Sequence, residues 1–307
     1  MAQTSGPALQ KPTDYLSQED LGRYRVLSNW RGAWMIAHCW GVILLTWLVV
    51  FQWTNPLTVL LGIAIIGTRQ LGLFVLSHDG AHYTLFSNRH LNDWASEWLL
   101  SRAQLGGSIH GYRRYHLQHH RHTQQEEDPD LALSKPFPIS AASFRRKVIR
   151  DLTGQTGVKQ YGAGIREAFA KGVGPGMKRL GPNLLINLVF FTGFAWAGKW
   201  YLYFLLWWVP ALTWNRLVTR LRNIAEHAAV PDDNDRLRNT RTTTAGWLER
   251  TFIAPYFVNY HLEHHLLVNA PCYRLPQVHR HLLQQGLGPS MEIRRGYRAT
   301  LGQAITA

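Results

Sequence analysis

The sequence predicts an all-α integral membrane protein with four transmembrane helices and a helical, histidine-rich cap on one side of the bilayer. Three observations predict it. Long apolar stretches alternate with strongly basic ones along the 307 residues. The charge, 33 Lys and Arg against 19 Asp and Glu, lies almost wholly outside those stretches. Three clusters place histidines about one helical turn apart: His78-Asp-Gly-Ala-His82, His116-Leu-Gln-His119-His120 and His261-Leu-Glu-His264-His265.

Residues 1–33 read as a polar segment, flexible at its start and lacking the short apolar core of a signal peptide, so none is expected to be cleaved. Trp34 to Trp53 carries no charge and, at about 20 residues, suffices to cross the hydrocarbon as a helix. Tryptophans at both ends suit the two interfaces. After a turn at Thr54-Asn-Pro56, a second span covers about 57–76 and contains Arg69, whose charge must face protein or water. Arg69 either pairs or snorkels, or else orients the nearby His78.

Leu91 to Leu105 is amphipathic and reads as an interfacial helix. A long basic loop runs to about Arg179, with a Gly-rich, weakly structured part from Gly162 to Gly176. The third and fourth spans cover about 183–197 and 200–218, the latter continuing helically to Asn223 and His227. The apolar island from Phe252 to Val258 is too short to span and leads into the third cluster. Arg238 to Thr242 would anchor the C-terminal cap. The membrane domain then covers 34–281, and 282–307 is a tail.

Four spans put both termini, the long loop and all three clusters on one side, and the opposite connections hold only Lys199. The excess of Lys and Arg makes that side cytoplasmic. A net charge of +14 can signal nucleic-acid binding, but no such motif is present and no nucleic-acid partner is expected. A basic face against anionic lipid or an acidic protein fits better. Cys39 and Cys272 form neither a disulfide framework nor a cysteine-based metal site.

With Asn223-Ile-Ala-Glu-His227, nine of the 15 histidines are candidate ligands: His78, His82, His116, His119, His120, His227, His261, His264 and His265. Nine imidazoles exceed the needs of one ion and suit two with positions left open, a donor set compatible with iron and dioxygen chemistry. A closed zinc site would favour cysteine, and the His-Glu-x-x-His pattern of zinc proteases is absent. Asp79, Glu126, Asp128, Asp130 and Glu263 are candidates to accept the second N–H of a ligating ring. His38 reads as packed and hydrogen-bonded. His122 reads as a surface residue, and His90, His110, His279 and His281 as structural or surface.

The order and spacing of HDGAH, HLQHH and NYHLEHH, with the intervening helices, resemble the integral-membrane fatty acid desaturase and hydroxylase superfamily from about Trp34 to His281. That resemblance implies a di-iron site in the cap held by the nine histidines, with His227 and Asn223 matching an Asn-x3-His element and Asn223 acting through a water. Glu226 departs from the pattern and either binds metal or orients His227. Zinc could replace iron on purification.

The resemblance further implies O2-dependent desaturation of an unactivated alkyl chain, most simply a fatty acyl lipid or thioester, within the membrane lipid. Hydroxylation or ketolation of a lipid or carotenoid is the alternative, since Glu127 to Asp130, Tyr260 to His265 and Arg274-Leu-Pro276 also resemble ketolases. A zinc-binding protein without redox activity is the third reading. Two external electrons are needed, and no haem or flavin motif is present. The donor would therefore be a separate ferredoxin or cytochrome b5-type protein, docked with help from Arg145, Arg146, Lys147 and Arg150 or sharing that surface with anionic lipid.

Overall fold

The computed structural model describes residues 11–104 and 107–306. The expected flexible start of the chain and Leu105 lie outside them. Among the described residues the protein is mostly helical, with two short parallel strand pairs.

Two helices are long and apolar enough to cross a membrane: α1, Asn29–Gln52, and α2, Pro56–Ala81. Asn55 starts α2 cleanly, its side chain accepting from Thr58 N at 3.1 Å while Pro56 fills the first helical position. Both helices outrun the apolar runs that predict them. The extra turn of α2 carries His78 out of the apolar region, and His82 caps it.

The third apolar run lies on α3, Val173–Trp196, which starts some ten residues earlier than expected. The Gly-rich stretch is not a loop, because most of it forms the C-terminal half of Gln155–Phe169 and the first turn of α3. The fourth run is broken. A helical segment over 201–212 contains a π-helical turn, Phe204–Trp208, and ends at Thr213 (φ −117°, ψ −90°). A separate helix, α4, Trp214–His227, then carries Asn223 and His227. A continuous span to residue 218 is therefore not formed.

Outward-facing leucines line α1, α2 and α3, among them Leu45, Leu48, Leu60, Leu61, Leu185 and Leu188. Exposed tryptophans bracket them, with Trp30 and Trp34 at one end and Trp53, Trp196 and Trp200 at the other. So wide an apolar belt is unsuited to water and suits lipid. The two short connections meet: Lys199 Nζ donates to Phe51 O at 2.6 Å and to Thr54 Oγ1 at 3.1 Å.

At the opposite end α2 packs against α1, α4, the helix Ile109–His122 and a second π-helical turn, Ser96–Ser101. A Cβ on Gly80 would collide with the Ser96 hydroxyl, so glycine between the first two histidines lets this turn lie directly on α2. The stretch from Leu91 keeps its amphipathic character, with Trp94 and Trp98 exposed and Ala95 and Leu100 buried. Arg69 is buried and donates to Thr251 O at 2.7 Å, which makes it a clamp on the segment before Phe252 and not an orienter of His78.

Residues 282–306 fold back onto the cap. Strand Ile293–Arg295 pairs in parallel with Thr242–Thr244, which also bridges to Tyr260. The 238–242 segment is the anchor its charges imply. Arg241 is 1% exposed and donates to Glu292 and to the carbonyls of Ala225, Ala228 and Ala229. Removing one partner of a buried charge network costs about 3–5 kcal/mol. Arg241→Met should therefore lower stability by that order, read as a fall in the melting temperature of the detergent-solubilised protein. An unchanged melting temperature would show that the anchor is dispensable.

Candidate metal centre

Four pieces of chain bring the histidines together. His78 and His82 sit at the end of α2, and His116, His119 and His120 on Ile109–His122. His227 ends α4, and His261, His264 and His265 lie on His261–Leu266. Their ring nitrogens form two groups, each with its ligand atoms within 4.8 Å of one another. One group is His78, His82, His116, His120 and His264; the other is His119, His227, His261 and His265.

The partition follows from helix geometry. Residues four apart share a face, so His116 joins His120 and His261 joins His265. The remaining member of each His-x-x-His-His box turns away and enters the opposite group. Each box thus serves both groups, in mirrored proportion. Asn223 is half-buried one turn before His227.

The donor chemistry fits metal ions. His120 Nε2 lies 2.9 Å from His116 Nε2 and 3.0 Å from His264 Nε2. His261 Nε2 lies 2.7 Å from His227 Nε2 and 3.1 Å from His265 Nε2. Two nitrogens bound side by side to one ion at about 2.1 Å would be separated by roughly 3 Å. The Nε2 atoms of His78 and His82 are buried without a hydrogen-bond partner, a cost that ligation of a cation would remove. Burial, and then the neighbouring imidazoles, hold His116, His120, His264 and His265 far below the usual histidine range. Neutral imidazole is the ligating form.

Carboxylates outside the clusters flank the rings, and one of them, Asp128, hydrogen-bonds a ring directly. His119 Nδ1 donates to Asp128 Oδ1 at 2.8 Å, and that carboxylate is fixed by the backbone N–H groups of Gln124 and Asp130 at 2.9 and 2.8 Å. Asp130 lies 3.9 Å from the same ring nitrogen and accepts from the Tyr115 hydroxyl at 2.6 Å. Glu226 Oε2 is 3.6 Å from His261 Nδ1, and Arg222 grips both Glu226 oxygens at 2.6 and 2.5 Å. Glu226 Oε2 therefore faces the His261 ring without hydrogen-bonding it. Asp79 lies 3.6 Å from His78 Nδ1 and accepts from Cys272 N at 3.1 Å.

Two carboxylates depart from expectation. Glu126 is exposed and stands away from the clusters, because the turn that buries Asp128 points it outward. Glu263 is buried but contacts no cluster ring. It accepts from the Thr242 hydroxyl at 2.5 Å and from His279 Nδ1 at 2.6 Å, which ties the third-box helix to a strand and to the helix Leu275–Gln284. His279 is thus a buried structural residue, as its alternative reading allowed. Sequence reasoning missed Thr123, 3.2 Å from His265 Nδ1, and Arg222, although the i,i+4 pairing with Glu226 signalled the latter. His122 is partly exposed, 4.0 Å from Glu127. His38 is exposed and hydrogen-bonded to the Tyr256 hydroxyl at 3.0 Å.

The family model described as Fatty acid desaturase matches residues 54–294. This chain belongs to the fatty acid desaturase family. Beta-carotene ketolase of Paracoccus sp. (strain PC1) is 26% identical over 248 residues, which cover 78% of this chain and 90% of that relative. Dihydrorhizobitoxine desaturase of Bradyrhizobium elkanii is 27% identical over 278 residues, 83% of this chain and 76% of the relative. Both relatives are named for oxidations, and membership of the family makes the chain an oxidoreductase.

An apolar cavity of about 1230 Å³ reaches toward the clusters. It runs along one stripe of α2, Gln70, Phe74 and Ser77, and both π-helical turns contribute lining residues, Ser101 from one and Trp207 from the other. At the histidine end Tyr112 stands between cavity and cluster. Its ring lies parallel to His116 (7°, centroids 5.3 Å) and edge-on to Phe74.

Removing a carboxylate that orients a ligating ring typically weakens metal binding 10–100-fold. Asp128→Asn should do so while leaving the protein folded, measured by chelator competition on the iron-loaded protein. Unchanged affinity would show that Asp128 does not support the site.

Proposed function

We propose that this chain is a membrane di-iron, O2-dependent desaturase that introduces a double bond into an unactivated alkyl chain, most simply a fatty acyl lipid or thioester. The observation that carries the reading is the pair of buried imidazole groups at the end of an apolar cavity. His78, His82, His116, His120 and His264 would hold one iron. His119, His227, His261 and His265, with Asn223 through a water, would hold the other. Bound there, the irons would supply dioxygen activation and the oxidising power to take hydrogen from an unreactive C–H bond.

The chain's own residues do the rest. The cavity wall presents a chosen carbon, Tyr112 and Phe74 limit how closely it approaches, and the apolar lining keeps water from the reacting carbon. Asp128, Asp130, Asp79 and Glu226 keep the ligating rings in one orientation.

In this reading α1, α2, α3 and the helical stretch that starts at 201 and runs past the break at Thr213 into α4 cross the bilayer. The Lys199 connections then lie on the far side, and the histidines and both termini lie in the cytoplasm. Two electrons per turnover come from a separate ferredoxin or cytochrome b5-type donor. Arg145, Arg146 and Arg150, exposed on the cap, suit an acidic partner.

The second reading, hydroxylation or ketolation of a lipid or carotenoid, is favoured by the ketolase relative, 90% of whose length is covered. The two readings differ in the product. Lipids and metabolites of a host expressing this chain are compared by mass spectrometry with those of a host expressing His264→Ala. A product lighter by two hydrogens and absent from the variant supports desaturation. A product that gains oxygen moves the enzyme to the ketolase side, and no difference between the hosts removes both.

A further inference from the structure

A second, smaller recess of about 260 Å³ opens on the cap beside the apolar cavity. Its wall is cationic. Lys147 and Arg150 come from the helix Ala141–Leu152, Lys159 from the helix Gln155–Phe169 and Arg220 from α4. Arg150 and Lys159 are exposed, and Lys147 and Arg220 half-buried, so all four keep surface that a ligand can reach. Among the described residues no acidic side chain lines the recess. The buried Asp151 nearby is taken up by Arg220, whose Nε and Nη2 donate to its two oxygens at 2.5 and 2.9 Å. Among the described residues Lys147, Arg150 and Lys159 have no ion-pair partner. Four cations against one carboxylate leave three charges uncompensated.

Like charges gather at a cost. Burial, and then the guanidinium groups of Arg220 and Arg150, hold the Lys147 ammonium below its ordinary range. An anion in the recess would relieve that repulsion. The place of the recess indicates what carries the anion. Gln160, held by Arg216 Nη1 at 2.8 Å, lines both the recess and the apolar cavity. On its helix the stripe Thr156, Lys159, Ala163 lines the recess, and the neighbouring stripe Tyr161, Gly164, Ile165 lines the cavity. One side of Gln160 is therefore cationic and the other apolar. Ile149, Leu152 and Val158 are exposed on the same two helices, which suits the head-group level of a bilayer.

We propose that this recess binds a phosphate carried as the head group of an apolar-tailed substrate, whose tail passes over Gln160 into the cavity. The proposal rests on the reading above that this cavity holds the substrate. Lys147, Arg150 and Lys159 meet the phosphate with charges that nothing else neutralises, and Arg220 keeps Nη1 free of Asp151 to donate to it. A wholly neutral substrate would leave those charges unmatched.

The test offers the iron-loaded protein, in micelles of neutral detergent, equal amounts of hexadecyl phosphate and cetyl alcohol, and reads the retained ratio by mass spectrometry. Relative to a variant carrying Lys147→Gln and Lys159→Gln, the wild-type protein should enrich the phosphate over the alcohol roughly tenfold, the size expected of two part-exposed ion pairs. A side chain at Gly164 would meet open space in the cavity wall, so Gly164→Trp should block the tail and lower the retained hexadecyl phosphate. Iron content checks that the variants are folded. Should the double variant not accumulate, Lys159→Gln alone, at an exposed position, supplies the reference. Equal ratios in wild type and reference would overturn the proposal; slower reduction of the variant by its electron donor would then assign the recess to that acidic protein. Full retention by Gly164→Trp, or displacement of hexadecyl phosphate by inorganic phosphate mole for mole, would overturn it as well and leave a site for free phosphate. Enrichment without any oxidised product in the host assay would remove the desaturase reading and keep the phosphate site. An oxidised product without enrichment would remove the phosphate site alone.

Discussion

The convergence of nine imidazoles in a buried space is the constraint on which the rest of the structure depends. Each ring offers a nitrogen to one of two small volumes, in which nitrogens approach to about 3 Å. Without a cation such an arrangement is unfavourable, because the lone pairs repel and water is excluded. The scaffold must hold the rings in place before a metal stabilises them. It does so with groups that grip the far side of the rings or the segments around them: Asp128 on His119, Thr123 beside His265, and Glu226, clamped by Arg222, beside His261. The folded-back C-terminal segment belongs to the same scaffold, since Glu292 pairs with Arg241 and Arg241 closes the end of the helix that carries His227.

One helix joins the three environments the chain must serve. The helix α2 presents Leu60 and Leu61 outward, Gln70, Phe74 and Ser77 to the cavity, and His78 with His82 to the histidine groups. Both π-helical turns lie against it and line that cavity. A π turn widens the helix by one residue and misaligns the backbone ladder, a cost accepted mostly where function needs a re-aimed side chain or a free carbonyl. Here one turn brings Ser101 to Ser77, and the other offers the Trp207 carbonyl to Gln70.

The helical class, the apolar runs and the candidate ligands were legible in the sequence because they depend on local periodicity and residue type. Spacing of four puts His116 with His120 whatever surrounds them. The allocation of His119 and His264 to opposite groups was not legible, because it depends on how two helices face each other. The roles of the carboxylates were only partly legible. Asp128 and Glu126 are two residues apart in one acidic run, yet the turn buries one and exposes the other. Glu263 sits inside a histidine box but faces Thr242 and His279, partners that are distant in sequence. The break at Thr213 escaped a hydropathy reading for the same reason, since apolar character continues across it and only the backbone angles change.

Relatives named for ketolation and for desaturation align with most of this chain. If the proposed reading holds, the histidine groups do not by themselves decide the outcome of the oxidation. In the proposed reading that decision falls to whatever sets the path and depth of the bound molecule, the cavity wall on the side of α2 facing Tyr112 and the π turns. Tyr112 is half-buried and belongs to both surfaces, stacked on His116 on one side and lining the cavity on the other. A small change in wall residues can move a different carbon beside that ring while every histidine stays in place. Such a separation of oxidising centre from positioning wall would let one histidine scaffold carry different reactions, because positional tolerance in the wall is far greater than in a ligand cage.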